Sequence, residues 1–278
     1  MSSIILDGKK CASAWLSDYT KKLDSDRPIL AIIVVGTDPA SAWYIKKKQQ
    51  TCATYNIKTQ VYSLSEAASS ADLSILISTL NQDIEITGIL LQLPLPSHLE
   101  PKRNTFLNLI HPSKDVDGLG AYQQGLLIQS NSAAIVSATV RGIKELLSRY
   151  QINLQSKHIV VVGASQLVGL PLSILLSNAN ATVTICHKYT TQLSDHTSQA
   201  DILISATGVP HLITENHVKL GAIVIDVGIH TIDGKLTGDV DFAKVYNVAS
   251  MITPVPGGVG PMTVAALIAN LVDLHIAR

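Results

Sequence analysis

Tyr44 and Lys48 stand four residues apart in a stretch that reads as a helix, so both side chains fall on one face. An aromatic ring beside an amine can hold a flat heterocycle and move a proton next to it, provided burial brings the amine's pKa toward neutrality. The other reading is a core tyrosine and a solvated basic face, since Lys46 and Lys47 precede Lys48. Gln92 lies within Leu90-Leu91-Gln92-Leu93-Pro94, an amide in an apolar strand. Parallel α/β proteins put their sites at strand carboxyl ends, and a buried amide needs partners that a ligand, a lysine or the fold itself can supply. In Lys114-Asp115-Val116-Asp117-Gly118 two carboxylates flank an apolar residue. One could grip the amino and ring N–H groups of a heterocycle, or the segment is a plain turn. The run is too short for a calcium loop and no downstream glutamate completes it.

Two further segments concern backbone rather than side chains. Gly163-Ala164-Ser165-Gln166-Leu167-Val168-Gly169 lies between a strand pattern and a helix pattern. It departs from the usual three-glycine phosphate loop. The mechanism can still operate, with Gly163 making the turn and amides at the helix start facing a phosphate. The segment from Thr253 to Thr263 holds three prolines and three glycines, at 257, 258 and 260. So rigid and apolar a path is not an ordinary linker, and its glycines let backbone approach a ligand closely.

The elements that must carry these residues alternate in type. Residues 30–35 form a β-rich apolar run. Asp38 is a suitable N-cap with Pro39 at the first helical position, and a helix over 40–55 should end at Asn56 in a left-handed conformation. A polar stretch to 71, a helix to about 80 and a strand over 88–93 follow. Residues 118–138, poor in charge and rich in Ser, Gln, Gly and Asn, read as a crossing between domains. A helix over 139–150 precedes strands at 158–162, 182–186, 202–205 and 223–227, the spacing of a dinucleotide-binding domain. An apolar helix over 264–276 ends the pattern.

Composition bounds the rest. The 278 residues suggest about two domains at roughly 150 residues each. Lys+Arg and Asp+Glu are both 21, which argues against nucleic acid as a partner and against disorder. Hydrophobic residues are 46% and charged residues 15%, enough for a sizeable core and compatible with a buried subunit interface. Cys11, Cys52 and Cys186 are odd in number and widely spaced, so neither a disulfide framework nor a metal site is expected. Residues 159–176 are apolar enough to raise a membrane span, but Gly163, Ser165, Gln166, Gly169 and Pro171 break them into strand, loop and helix. The first residues show no secretory signal, and a cytoplasmic protein is expected.

Taken together, the segments resemble the bifunctional methylenetetrahydrofolate dehydrogenase/cyclohydrolase family. The match runs collinearly through Gly36-Thr37-Asp38-Pro39-Ala40-Ser41 with Tyr44 and Lys48, through residues 81–83 and 88–96, through residues 114–118, and through the proline-glycine segment. The resemblance implies an α/β fold of two domains with a cleft between them. Residues 1–138 plus 261–278 would form the folate-binding catalytic domain and 139–260 a Rossmann-like NAD(P)-binding domain. It implies oxidation of 5,10-methylenetetrahydrofolate, then hydrolysis to 10-formyltetrahydrofolate, in one-carbon metabolism that feeds purine biosynthesis. Lys48 would be the general acid/base, Gln92 would hydrogen-bond it and Tyr44 would pack on the folate ring. Asp117, rather than Asp115, would hold the pterin, with Pro256, Gly257 and Gly258 also at the substrate. The cofactor would meet Gly163, Ser165, Val168, Gly169, Lys188, Thr207, Gly208 and Ile229. No metal, nucleic acid or membrane partner is implied, and a homodimer is.

Three departures bear on the cofactor. Where the family usually has Arg after the loop glycine, this chain has Ala164. Lys188 follows Cys186-His187 in place of the usual Ser and could supply the lost charge for the 2′-phosphate of NADP. Ser137-Ala138-Thr139-Val140 replaces Pro-Cys-Thr-Pro. NADP is favoured, with NAD possible. The alternatives are a cyclohydrolase with weak or lost dehydrogenase activity and another two-domain NAD(P)-dependent dehydrogenase.

Overall fold

The structure is a computed structural model and describes residues 3–23, 26–37 and 39–278. Asp38, the expected N-cap, lies outside them. In chain order the elements begin with β1 (Ile4–Ile5), α1 (Gly8–Tyr19), β2 (Ile29–Val35), α2 (Pro39–Thr54), β3 (Lys58–Leu64), α3 (Ser70–Gln82) and β4 (Gly88–Leu91). Four helices and a strand come next: α4 (Arg103–Leu109), α5 (Ala121–Ile128), α6 (Ala138–Arg149), β5 (His158–Val162) and α7 (Gly169–Asn178). Then come β6 (Thr182–Cys186), α8 (Leu193–Thr197), β7 (Ile202–Ser205), β8 (Ile223–Asp226), β9 (His230–Ile232) and β10 (Lys235–Thr237). The chain closes with α9 (Phe242–Val245), β11 (Met251–Ile252) and α10 (Val259–Ile276). There are two compact units. One runs up to Ala14 and resumes from Thr139 to Ala265, and the other comprises residues 15–138 and 266–278.

The unit that holds residues 15–138 contains a three-stranded parallel sheet in the order β3-β2-β4. Leu30, Ala31, Ile32 and Ile33 of the central strand are fully buried, as a strand covered on both faces must be. β3 is the strand that the polar residues from 57 on conceal. It pairs with β2 through its whole length, but as an edge strand it leaves Lys58 and Gln60 in water. α3 opens on a reciprocal capping box between Ser69 and Asp72. β4 ends at Leu91, two residues short of the expected 93, although the Gln92 N–H still donates to Ile33 O at 2.9 Å. Leu93–Pro94 is cis. The expected domain crossing over 118–138 is instead part of this unit and contains α5. At its start Gly118 has φ +62°, and a Cβ there would lie 2.2 Å from Ile135 O.

The other unit is built on a six-stranded sheet in the order β1-β11-β8-β7-β5-β6, all parallel. Its buried face includes Val160, Leu203, Val224 and Ile252. The first described residues pack in this unit. β1 pairs with β11, and the Ser3 hydroxyl donates to Ala249 O at 2.6 Å. β9 and β10 form an antiparallel hairpin whose turn residues, Asp233 and Gly234, both have positive φ, a twist that suits a two-residue turn. The apolar residues 159–176 divide into β5, the Gly163 loop and α7. α10 starts at Val259, five residues before the expected 264, so Gly260 and Pro261 lie within its first turn. Among the described residues it is the one helix long and apolar enough to cross a membrane. Leu267, Ile268, Leu271 and Val272 are buried, which is the pattern of a core helix. All three cysteines are free thiols.

Candidate active site

α2 runs from Pro39 to Thr54, and Tyr44, Lys48 and Cys52 repeat every four residues along it. Tyr44 and Lys48 are half-buried, and Cys52 is fully buried. Lys48 Nζ donates to Gln92 Oε1 at 2.9 Å, and Gln92 Nε2 donates to Leu93 O at 2.7 Å. The second bond fixes which way the amide faces, so that its oxygen meets the amine. Burial pushes Lys48 below the ordinary lysine range, with the charge of Asp117 pulling the other way. Burial raises the Tyr44 hydroxyl and drives the Cys52 thiol up to about 12, so Cys52 stays neutral beside the amine.

The two aspartates after β4 have different work. Asp115 is buried, and its oxygens accept from the Gly118 N–H at 2.9 Å and the Gly120 N–H at 2.8 Å. It ties the loop. Asp117 accepts a long bond of 3.4 Å from the Ala138 N–H. Its pKa is pushed up to about 6, first by burial and then by Asp115, against the pull of Lys48 and the Ala138 amide. A partly buried carboxylate beside an amine, with acceptor capacity in reserve, can receive the N–H groups of a ligand. Asn270, which no motif reading singled out, anchors this loop: its Nδ2 donates to Val116 O and to Val136 O, each at 2.9 Å.

In the six-stranded unit the chain leaves β5 for β6 on one side and returns to β7 on the other. That reversal opens a crevice at the carboxyl ends of the strands. Gly163 follows β5 with φ +116°, and a Cβ there would lie 2.1 Å from Ala206 O. A Cβ on Gly169 would lie 1.8 Å from Gly163 O, so both positions require glycine for the turn to close onto α7. Ser165 Oγ accepts from the Val168 N–H at 3.2 Å and shapes the loop. Lys188 is exposed just past β6, with Nζ 4.9 Å from the Tyr189 ring centre. Thr207 and Gly208, the latter with φ +71°, follow β7, and Ile229 lies beyond β8. This donor-rich, side-chain-poor cradle fits the phosphates of a dinucleotide. Pro256, Gly257 and Gly258 also belong to this unit and not to that of Lys48. Gly257 has φ +112° and its carbonyl accepts from the Lys9 N–H at 3.0 Å. Among the described residues no group of three metal-ligating side chains is assembled.

Comparison with known proteins also divides the chain in two, with bounds that differ from those of the compact units at both ends. The profile of the tetrahydrofolate dehydrogenase/cyclohydrolase catalytic domain matches residues 6–117, and that of the same family's NAD(P)-binding domain matches residues 137–278. The chain belongs to the tetrahydrofolate dehydrogenase/cyclohydrolase family. It is 47% identical to the bifunctional protein FolD of a Sulfurihydrogenibium strain, over 98% of this chain and 97% of that one. The crystal structure of the bifunctional FolD enzyme of Campylobacter jejuni superposes with a TM-score of 0.95 at 41% identity, covering 100% of both chains. The Trypanosoma brucei enzyme, solved with NADP and an inhibitor, gives 0.93 at 32% identity over 100% of this chain and 98% of that one. Of the departures from the family pattern, Ala164 lies in the Gly163 loop. Thr139, retained, has its hydroxyl oxygen 3.4 Å from that of Thr263.

Proposed function

We propose that this chain oxidises 5,10-methylenetetrahydrofolate to the methenyl cation with NADP, and adds water to that cation to give 10-formyltetrahydrofolate and a proton. The observation that carries the reading is the Lys48–Gln92 hydrogen bond of 2.9 Å beside Asp117, in a chain whose other unit is a dinucleotide fold. NADP, when bound, supplies the hydride acceptor.

The chain's own residues do the rest. Tyr44 packs its ring on the folate. The Asp117 carboxylate receives the amino and ring N–H groups of the pterin, two parallel bonds that fix its orientation. Gly163, Ser165, Val168 and Gly169 hold the cofactor phosphates through backbone, with Thr207, Gly208 and Ile229 at the neighbouring loops. Lys188 meets the 2′-phosphate. Pro256, Gly257 and Gly258 offer close-approaching backbone to the substrate. In the hydrolysis Lys48 Nζ takes the proton from the attacking water. An amine whose pKa burial has lowered gives up its proton more readily, and a neutral amine beside a cation avoids like-charge repulsion. Gln92 Oε1 accepts one Nζ–H and so aims the lone pair.

The enzyme acts in the cytoplasm as a homodimer, without nucleic acid or membrane partners, and its product feeds purine biosynthesis. The zero formal net charge and the core burial of α10 support the absence of those partners. β6, an outer strand with Ile185 exposed, supports a subunit contact. Ala164 favours one second reading, a cyclohydrolase with little dehydrogenase activity. Purified protein assayed on methylenetetrahydrofolate with NADP, with NAD and with neither separates the two. Methenyl formation with NADP, together with hydrolysis of preformed methenyltetrahydrofolate, is the expected result. Hydrolysis alone supports the second reading, and neither activity sinks both.

A further inference from the structure

Asp239 is fully buried in the six-stranded unit and takes no part in the chemistry above. Its Oδ2 accepts from the Thr207 N–H at 2.6 Å and from the Ser205 hydroxyl at 3.1 Å, and its Oδ1 accepts from His230 Nε2 at 2.8 Å. Thr207 follows β7, and His230 opens β9, directly after Ile229 in the loop beyond β8. One carboxylate therefore joins two neighbouring loops at the carboxyl ends of adjacent parallel strands, the edge where such sheets bind ligands.

The surroundings are built around this joint. Asp226, also buried, accepts from the N–H groups of Gly228 and Asp239 at 3.0 Å each and of Val240 at 2.9 Å. A Cβ on Gly228 would lie 2.1 Å from Asp239 Oδ1, and one on Gly238 would lie 1.9 Å from Asp226 Oδ2. Two glycines thus make room for two carboxylates. A buried carboxylate persists only when donors surround it, and a loop amide bound to one is held more firmly than by a neutral acceptor.

We propose that His230 and Asp239 are positioning residues for the cofactor: they lock the Thr207–Gly208 loop to the Ile229 loop in the arrangement that receives the dinucleotide. His230 supplies the side-chain donor that keeps Asp239 Oδ1 turned toward the Ile229 loop, while Oδ2 holds the Thr207 amide. The proposal rests on the reading of that edge as the NADP site.

The test uses the full-length enzyme and the variants His230→Ala and His230→Gln, the second keeping an N–H donor. NADP affinity is measured by titration, KM and kcat of the dehydrogenase reaction separately, and hydrolysis of preformed methenyltetrahydrofolate as the control that needs no cofactor. His230→Ala should raise Kd and KM for NADP roughly tenfold, the scale of one charge-assisted hydrogen bond. Dehydrogenase kcat should stay within about twofold, hydrolysis should be unchanged, and His230→Gln should recover most of the loss. Normal NADP binding by His230→Ala overturns the proposal, as does an equal loss of both activities that His230→Gln fails to restore. No NADP binding by the unaltered enzyme overturns the cofactor reading and this proposal with it.

Discussion

Lys48 Nζ and Gln92 Oε1 meet at 2.9 Å, across 44 positions of sequence, and so join the middle of α2 to the end of β4. The bond gives the amine one fixed acceptor in a setting that disfavours its charge. Lys48→Met removes the proposed proton acceptor but keeps the length of the stem. Hydrolysis of methenyltetrahydrofolate should fall by roughly a hundredfold to ten-thousandfold, the usual worth of a positioned base. Circular dichroism and melting temperature should stay near those of the unaltered protein. Gln92→Leu should lower kcat less, because the amine remains but loses its orientation. A Lys48→Met enzyme that hydrolyses at a nearly normal rate would remove Lys48 from the mechanism.

Asp117 makes the same site dependent on pH. Its carboxyl titrates at about 6, above the ordinary 3.8, so between those values the folded protein holds a proton that the unfolded chain has released. The contribution of this group to stability is therefore full below 3.8 and falls as pH rises through the window to about 6. Function runs the opposite way, since only the carboxylate can accept two N–H groups. Folate KM should rise as pH drops below about 6. The negative charge of Asp117 also holds the Lys48 pKa up. Asp117→Asn should therefore move the acid limb of the hydrolysis kcat profile, at saturating folate, toward lower pH. A limb that stays in place would show that the two groups do not sense each other.

The sequence was most readable where burial is two-sided or backbone is forced. The strands 158–162 and 202–205 stand at the expected residues, because a parallel strand covered on both faces admits mostly apolar side chains; 182–186, an outer strand, is legible from its β-branched residues instead. Asn56 has the expected left-handed φ of 57°. β3 escaped notice because an edge strand carries Lys58 and Gln60 in water, and its register depends on β2 rather than on its own pattern. β1 escaped because two residues carry no period. Lys48, Gln92 and Asp117 could be singled out by residue type and by family resemblance. Asn270 and Asp239 could not. Asn270 holds carbonyls more than 130 residues away, Asp239 holds an amide 32 residues away, and nothing local marks an asparagine in an apolar helix as a clamp.

In the proposed cofactor site Lys188 is the residue that decides which dinucleotide binds. It is exposed just past the carboxyl end of β6, the strand next to β5, and Ala164 brings no charge to the Gly163 loop. A lysine at that place is a point charge suited to a phosphate monoester. Lys188→Ala should raise the KM for NADP roughly tenfold and leave that for NAD within about twofold, with hydrolysis unchanged. Parallel assays with the two cofactors read the ratio directly. Equal changes with both would mean that the lysine does not touch the 2′-phosphate.

Asn270 is expected to matter to both stability and substrate. Its amide satisfies the carbonyls of Val116, next to Asp117, and of Val136, two residues before the amide that Asp117 accepts from. It is fully buried, so water cannot replace it. Asn270→Leu is close in volume but leaves both carbonyls without this donor. Each buried polar group so stranded costs about 1–3 kcal/mol, and the loss in unfolding free energy should be roughly 2 kcal/mol or more. Asn270→Asp should be worse, because a carboxylate would face two carbonyl oxygens in a dry site. The surviving folded enzyme should show a raised folate KM with an ordinary NADP KM, since the loop that moves carries Asp117 and not the dinucleotide cradle. Denaturant titration and the two KM values measure these effects separately. Unchanged stability would mean that the carbonyls find other donors, and a KM change confined to NADP would contradict the link from Asn270 to Asp117.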